Sequence, residues 1–158
     1  MNCIICNSKK IKSISKMSRE GFKIDLIQCS NCGHIYQPEE KFEEIYTTGK
    51  FTSDAREGTK TPSAQKIKNL DKRALKRYHY FKDLIGESKK VLEVGSSIGS
   101  FVHVLRLAGK SAEGLEPDPD YSSYSEGQYG FTQYQGLLEN HKTTTQYNLI
   151  CSFHVLEH

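Results

Sequence analysis

Hydrophobic and polar positions change rhythm along the chain. Phe22, Ile24 and Leu26 alternate with Lys23 and Asp25, the period of a half-buried strand leading into Cys29. A short helix follows over Glu39–Tyr46, with Phe42, Ile45 and Tyr46 on one side. Residues 47–61 are rich in Gly, Thr and Ser and read as a linker or a substrate-side loop. Near Pro62 a helical period begins: Ile67, Leu70, Ala74, Tyr78, Phe81 and Ile85 share a face, and Gly86 ends it. Val91, Leu92 and Val94 then form a short apolar run, broken by Gly95 and Gly99. Phe101, Val102, Leu105 and Ala108 resume helical spacing as far as Gly109. Ser111–Leu115, Phe131–Gln135 and Tyr147–Ser152 read as further strands, and Pro119 opens a helix with Tyr121 and Tyr124 inside. Strands alternating with helices predict an α/β domain with a parallel sheet.

The run from Val91 to Ser100 carries the most chemistry. Strand, glycine turn and helix is how open α/β sheets hold a nucleotide-like ligand at the carboxyl end of a strand. Glu93, just before the turn, suits a ligand with a positive charge and is awkward for a pyrophosphate. The order is G-x-S-x-G, with Ser97 at the middle, so the dinucleotide fingerprint G-x-G-x-x-G is missing. The helix start at Ser100 offers amides and a favourable dipole to a carboxylate. Glu116 ends the second strand about 20 residues on, where an acid bonds ribose hydroxyls in such folds.

The chain has five cysteines, and Cys3, Cys6, Cys29 and Cys32 form C-x-x-C pairs across a short polar segment. That spacing reads as a structural zinc site, closed to chemistry because the thiolates fill the coordination sphere. Gly33 and Asn7 supply the permissive backbone a knuckle needs. His34 lies outside the knuckle and reads as surface. Two disulfides or a redox pair are the alternatives. Cys151 reads as a small buried residue.

Composition adds bounds. The 158 residues are 26% charged with a net charge of +3. No apolar run approaches the ~20 residues a membrane span needs, and no signal peptide is visible, so no membrane role and a cytoplasmic location are expected. Basic residues crowd between Lys60 and Lys90, among them Arg73 and Arg77. They read as a solvated helix face, with nucleic acid as the other possibility. Tyr78, His79 and Tyr80 read as helix-to-sheet packing.

Glu93-x-Gly95-x-Ser97-x-Gly99 resembles the first motif of class I S-adenosylmethionine (SAM) dependent methyltransferases. The stretch from Gly114 to Asp120 resembles their second motif, and Phe153-His154-Val155-Leu156-Glu157-His158 their fourth. The resemblance implies that Glu93 pairs with the methionine amino group and that Gly95, Ser97 and Gly99 let the ligand approach the backbone. It implies that Glu116 takes the ribose and that Asp118 lies near the adenosine, N-terminal helix charge being the alternative for Asp118 and Asp120. It also implies that Leu137 touches adenine and that Phe153 and His154 line the methionine side. Asn148 replaces a more usual Asp. A four-cysteine ribbon followed by an aromatic, Pro38 and an acidic helix ending in Tyr46 resembles the N-terminal module of a bacterial methyltransferase group. That group includes sugar C-methyltransferases and proteins of polysaccharide clusters.

The expected organisation is therefore a zinc ribbon and short helix over 1–46, a linker over 47–61 and part of a Rossmann-like SAM-binding domain over 62–158. The expected reaction is methyl transfer from SAM to a small polar acceptor such as a nucleotide-linked sugar, with His154 or His158 as base. RNA methylation and a non-enzymatic zinc-ribbon interaction module are the alternatives. Because the fourth motif ends the chain, a truncated sheet is expected, whether by truncation or at a tag junction. Its bared edge invites self-association, and the chain alone is expected to be inactive.

Overall fold

In the computed structural model the residues described are 2–17, 23–36 and 61–155. The chain divides into two compact units, Met1–Phe42 and Glu43–His158. The short helix expected over Glu39–Tyr46, nearly all of the linker, Phe22 and the end residues Leu156, Glu157 and His158 lie outside the described residues.

The first unit holds a three-stranded antiparallel sheet of β1 (Ile11–Met17), β2 (Lys23–Cys29) and β3 (Ile35–Tyr36). Ile11 pairs with Cys29 and Met17 with Lys23, so the hairpin spans the spacer between the cysteine pairs. Among the described residues of this unit, only Cys3 and Cys29 are fully buried apolar side chains. Among the described residues this unit has no larger apolar core, and a unit this small needs a staple.

The second unit alternates helices with parallel strands. Helix α1 (Ala64–Ile85) is capped by Ser63, whose side chain accepts from the Lys66 N–H, and Gly86 ends it. Pro62 precedes the cap, so the helix starts just after the position the proline marks. Next come β4 (Lys90–Val94), α2 (Ser100–Leu107) and β5 (Ser111–Glu116). Then follow α3 (Pro119–Tyr129), β6 (Tyr134–Gln135), a 3-10 turn at Leu138–Asn140 and β7 (Leu149–Ser152). The sheet order is β6-β5-β4-β7, all parallel. Chain direction through the sheet reverses beside β4. That reversal opens the crevice at the carboxyl ends of β4 and β7 where α/β folds hold ligands. Among the described residues no helix is long and apolar enough to cross a membrane.

The core lies between the sheet and the helices. Val91 and Ala112 from the sheet meet Phe101, Val102 and Leu105 of α2 and Ala74 and Ile85 of α1. Leu92, Val94 and Leu115 point to the opposite face, as strand alternation requires, and pack with Tyr147 and Val155.

Two strands are shorter than their apolar patterns suggest. The strand expected over Phe131–Gln135 is reduced to Tyr134–Gln135. Phe131 follows the left-handed cap Gly130 and turns into the core, and its C=O accepts from the Ser125 hydroxyl at 2.8 Å, outside the strand ladder. The strand expected from Tyr147 begins at Leu149. Asn148 Oδ1 accepts from the Lys89 and Lys90 N–H groups at 3.2 and 2.9 Å, so its side chain stands in for the first rung beside β4. This gives the Asn at this position a structural task.

Candidate functional site

Glu93 lies one residue from the end of β4, on the same face as Val91, under α1 and α2. It is 3% exposed, and its Oε2 has no hydrogen-bond partner. Burial pushes its carboxyl up to about 8, opposed by the charge of Arg77 and helped by that of Glu116. A buried carboxylate oxygen without a donor is costly, so it marks a place for a cation.

The turn after Glu93 is held from several sides. Leu115 C=O accepts from the N–H groups of Gly95 and Ser96 at 2.8 and 3.2 Å. The Gln133 amide donates to Ser97 C=O at 2.9 Å, and the Ser96 hydroxyl bonds Gln133 Oε1. Glu116 accepts from the Ser97 N–H at 2.7 Å and from the Asp118 N–H at 3.0 Å. Ser97 itself sits at φ 54, in the left-handed region that a non-glycine residue enters only when its surroundings impose it. Gly95, at φ 71, faces Val155, and a Cβ there would collide with the valine methyl. Gly99, at φ 83, faces the Phe131 ring, which a Cβ would meet at 2.9 Å.

Above the turn lies a cavity of about 160 Å³, bounded by Glu93, Gly95 to Ile98, Ser100, Phe101, Phe153 and His154 and closed on its far side by α1. The α1 contribution includes Arg73 and Arg77. Arg77 is half-buried and stacks on Phe153, its guanidinium carbon 4.1 Å from the ring centre. Burial lowers it from its usual value, and the Glu93 charge acts in the other direction. The chamber is small enough for an amino-acid group and too small for a whole nucleoside ligand.

The sequence profile of a methyltransferase domain family matches residues 67–158. The chain belongs to this methyltransferase family. No match is found among curated proteins. Among solved structures the methyltransferase chain is similar to DesVI of Streptomyces venezuelae, with 13% identity and a TM-score of 0.44 over 73% of this chain and 44% of that one. The chain thus spans less than half the length of that structure.

The expected ligand residues of this methyltransferase domain fall as follows. Glu93, Gly95, Ser97, Phe153 and His154 border one cavity. Gly99 caps α2 behind the turn. Glu116 reaches the same turn through the Ser97 N–H. Asp118 is the N-cap of α3, with its Oδ1 accepting from the Tyr121 N–H at 2.9 Å. Leu137 is half-buried and follows Gly136, whose N–H donates to Glu116 C=O at 3.1 Å. His154 is exposed at the cavity mouth with φ 60, a second strained non-glycine residue beside the crevice. His158 lies outside the described residues. Ser100 differs from expectation: its hydroxyl donates to Asp71 Oδ1 at 2.7 Å, and the Tyr129 hydroxyl donates to the same oxygen at 2.6 Å. The α2 start therefore already faces a carboxylate. Cys151 is mostly buried, with its Sγ bonding Leu92 C=O at 3.6 Å and burial pushing the thiol up to about 12, in keeping with a packing role.

Gln133, Asp71, Arg73 and Arg77 are the contributors that the sequence reading passed over. The basic run is expected on a solvated face, and Arg73 is exposed although it borders the cavity, whereas Arg77 is half-buried beside it. Of the aromatic trio, Tyr78 packs against the core while His79 and Tyr80 are exposed.

In the first unit Cys3, Cys6, Cys29 and Cys32 converge, with all sulfurs within 4.8 Å of one another and Cys3–Cys32 and Cys6–Cys29 at 3.6 Å. None is in a disulfide. Sulfurs placed tetrahedrally about 2.3 Å from a zinc ion stand about 3.8 Å apart, so the cluster fits such an ion with little adjustment. The knuckles turn at Asn7 (φ 56) and Gly33 (φ 77), and the Asn31 N–H donates to Cys29 Sγ at 3.4 Å. The Asn31 side-chain amide donates to Cys6 Sγ and lowers that thiol to about 6. His34 is outside the cluster, stacked on Tyr36 with centroids 5.3 Å apart.

Proposed function

We propose that the second unit binds SAM in the crevice above β4 and transfers its methyl group to a small polar acceptor, with a nucleotide-linked sugar as the class tested first. The observation that carries this is the Glu93 carboxylate, buried and lacking a donor on one oxygen, beside a chamber sized for an amino-acid group. Family membership agrees with it. Glu93 receives the ligand ammonium, and the Gly95–Gly99 turn accepts the ligand against its backbone. Glu116 steadies that turn and is the proposed partner of the ribose hydroxyls. Leu137 and the 3-10 turn after it offer an apolar edge for adenine. When bound, SAM supplies an electrophilic methyl on a sulfonium. The chain's task is then alignment and exclusion of water. His154 at the cavity mouth is the proposed acceptor of a proton from the nucleophile.

For the first unit we propose one structural zinc ion on the four cysteines, stapling a ribbon whose only fully buried apolar side chains among the described residues are Cys3 and Cys29. Calorimetric titration of the chain with SAM and with S-adenosylhomocysteine tests the main reading. Saturable binding of both, with a rise in melting temperature and no response to NAD, is expected. An intact, folded chain that gives neither heat nor stabilisation with either ligand would overturn it.

A further inference from the structure

We infer that Gln133 is a positioning residue for the cofactor: its amide holds Ser97 in the left-handed conformation that shapes the glycine turn. This rests on the SAM reading above and goes beyond it, to a side chain that does not itself border the chamber. Ser97 stands at the middle of the turn with φ 54. A residue with a Cβ is disfavoured in that region, roughly 5- to 30-fold, so something must impose it. Two side chains hold the peptide groups on either side of Ser97. Glu116 accepts from the Ser97 N–H at 2.7 Å, and the Gln133 amide donates to the Ser97 C=O at 2.9 Å. With both peptide planes fixed, φ and ψ of Ser97 are fixed with them. A carbonyl only accepts, so the Gln133 nitrogen faces Ser97 and its oxygen is left to the hydroxyl of the buried Ser96.

The route of Gln133 to the turn passes Gly114. Leu115 pairs with Tyr134, which puts Gln133 one step back, beside Gly114. Gly114 is buried within β5 and has no positive φ, so its need for glycine is one of space. A Cβ there would collide with the Gln133 amide oxygen and stand 2.6 Å from Ser96 Oγ. Glycine two residues ahead of Glu116 thus opens a slot, and the Gln133 side chain fills it. A trans peptide points its N–H opposite to its C=O, so drawing the Ser97 C=O to Gln133 turns the Ile98 N–H the other way. Ser97 and Ile98 both border the chamber. Without the amide the unliganded turn is free to leave this conformation, and binding must restore it, which lowers affinity.

Calorimetric titration of SAM into the full chain tests this as a cycle. Gln133→Met keeps the length of the side chain and loses the amide, and should weaken SAM roughly 5- to 30-fold. In a Ser97→Gly background, where glycine enters the left-handed region freely, the same substitution should cost no more than about twofold. Ser96 loses its acceptor in both backgrounds, so that loss cancels in the comparison. A side chain that only packs would weaken binding equally in the two. Melting curves without ligand show which chains are folded. Where Gln133→Met alone does not fold, the two chains carrying Ser97→Gly decide: affinities within about twofold support the assignment, and a wider gap overturns it, as does a double variant that does not fold. Equal losses in both backgrounds, or no loss from Gln133→Met, overturn this inference alone. Wild type that binds no SAM overturns the SAM reading with it.

Discussion

Glu93→Gln separates what burial costs from what it provides. In the unliganded chain the Glu93 carboxyl is raised from 4.5 to about 8 by burial, with Arg77 opposing and Glu116 assisting. Cys151 in the adjacent strand is itself pushed up to about 12, so it stays a neutral thiol over the range that matters. At pH 7 roughly one-tenth of the Glu93 carboxyl is ionised, which lowers the apparent affinity for an ammonium about tenfold. Ligand affinity should therefore rise with pH from about 6 to 8, close to tenfold per unit, and level off above. Protons should be released on binding at pH 7. The stability sign is opposite. The folded state holds this proton between pH 4.5 and about 8 while the unfolded chain has lost it, so its stabilising contribution is full below 4.5 and is lost as pH rises through about 8. Gln removes the ionisation. The unliganded variant should melt like wild type near pH 5 and at a higher temperature above pH 8. Its SAM affinity at about pH 8.5 should be lower by about 1.5–3 kcal/mol, roughly 10- to 150-fold, and flat with pH, because the charge-assisted bond is gone. Calorimetry in buffers of different ionisation enthalpy, together with melting curves across the pH range, makes the measurement. His154 borders the same cavity, and the Gln variant's own pH profile reports any share it has. A wild-type affinity that does not change with pH, or a Gln variant that binds as tightly at about pH 8.5, would refute the reasoning.

Protein purified without added metal should carry one zinc per chain by elemental analysis, and Cys29→Ser should lose it and loosen the first unit; a metal-free ribbon with native amide protection would exclude the structural role. Glu116→Gln should weaken SAM binding by about 1–3 kcal/mol, since one oxygen cannot serve the Ser97 and Asp118 N–H groups as two do, and unchanged affinity would place the pocket elsewhere. Gly95→Ala should destabilise the second unit by about 1–3 kcal/mol in denaturant titration, through positive φ and the collision with Val155. Adding Val155→Ala should recover part of that loss, and no recovery would assign the whole effect to the backbone.

Much of the fold was legible because local signals agreed with the tertiary arrangement. Helix α1 runs from a Ser cap to a Gly cap with its apolar face where the spacing put it, and β4 reads as buried on both faces because it is. The failures are local competitions. Phe131 and Asn148 sit in stretches with strand composition, but a Ser125 hydroxyl and the Asn148 side chain take hydrogen bonds that a longer ladder would have used. Sequence period reports which face is apolar. It does not report which side chain replaces a backbone rung.

The site was legible to the extent that its chemistry is contiguous in the chain. Glu93 and the glycine turn declared themselves by order and spacing, as the paired cysteines did. Arg77 shows where that stops. It lies three residues after Ala74 and four before Phe81, and Arg73 lies one helical step earlier on the same row, so both border the apolar stripe of α1. That position was visible, but the surrounding excess of lysine made the row look solvated. Whether it meets water or a buried carboxyl depends on how α1 crosses α2 and how far β4 carries Glu93 beneath it. A small residue at Ala74, buried in that crossing, lets the helix come close enough for Arg77 to reach the chamber. A larger side chain at Ala74 would lift the helix and draw the guanidinium away from Glu93. Ala74→Leu should then weaken SAM binding in calorimetric titration, although residue 74 contributes no charge. An unchanged SAM affinity with a lowered melting temperature would mean that the crossing sets stability alone and not the reach of Arg77.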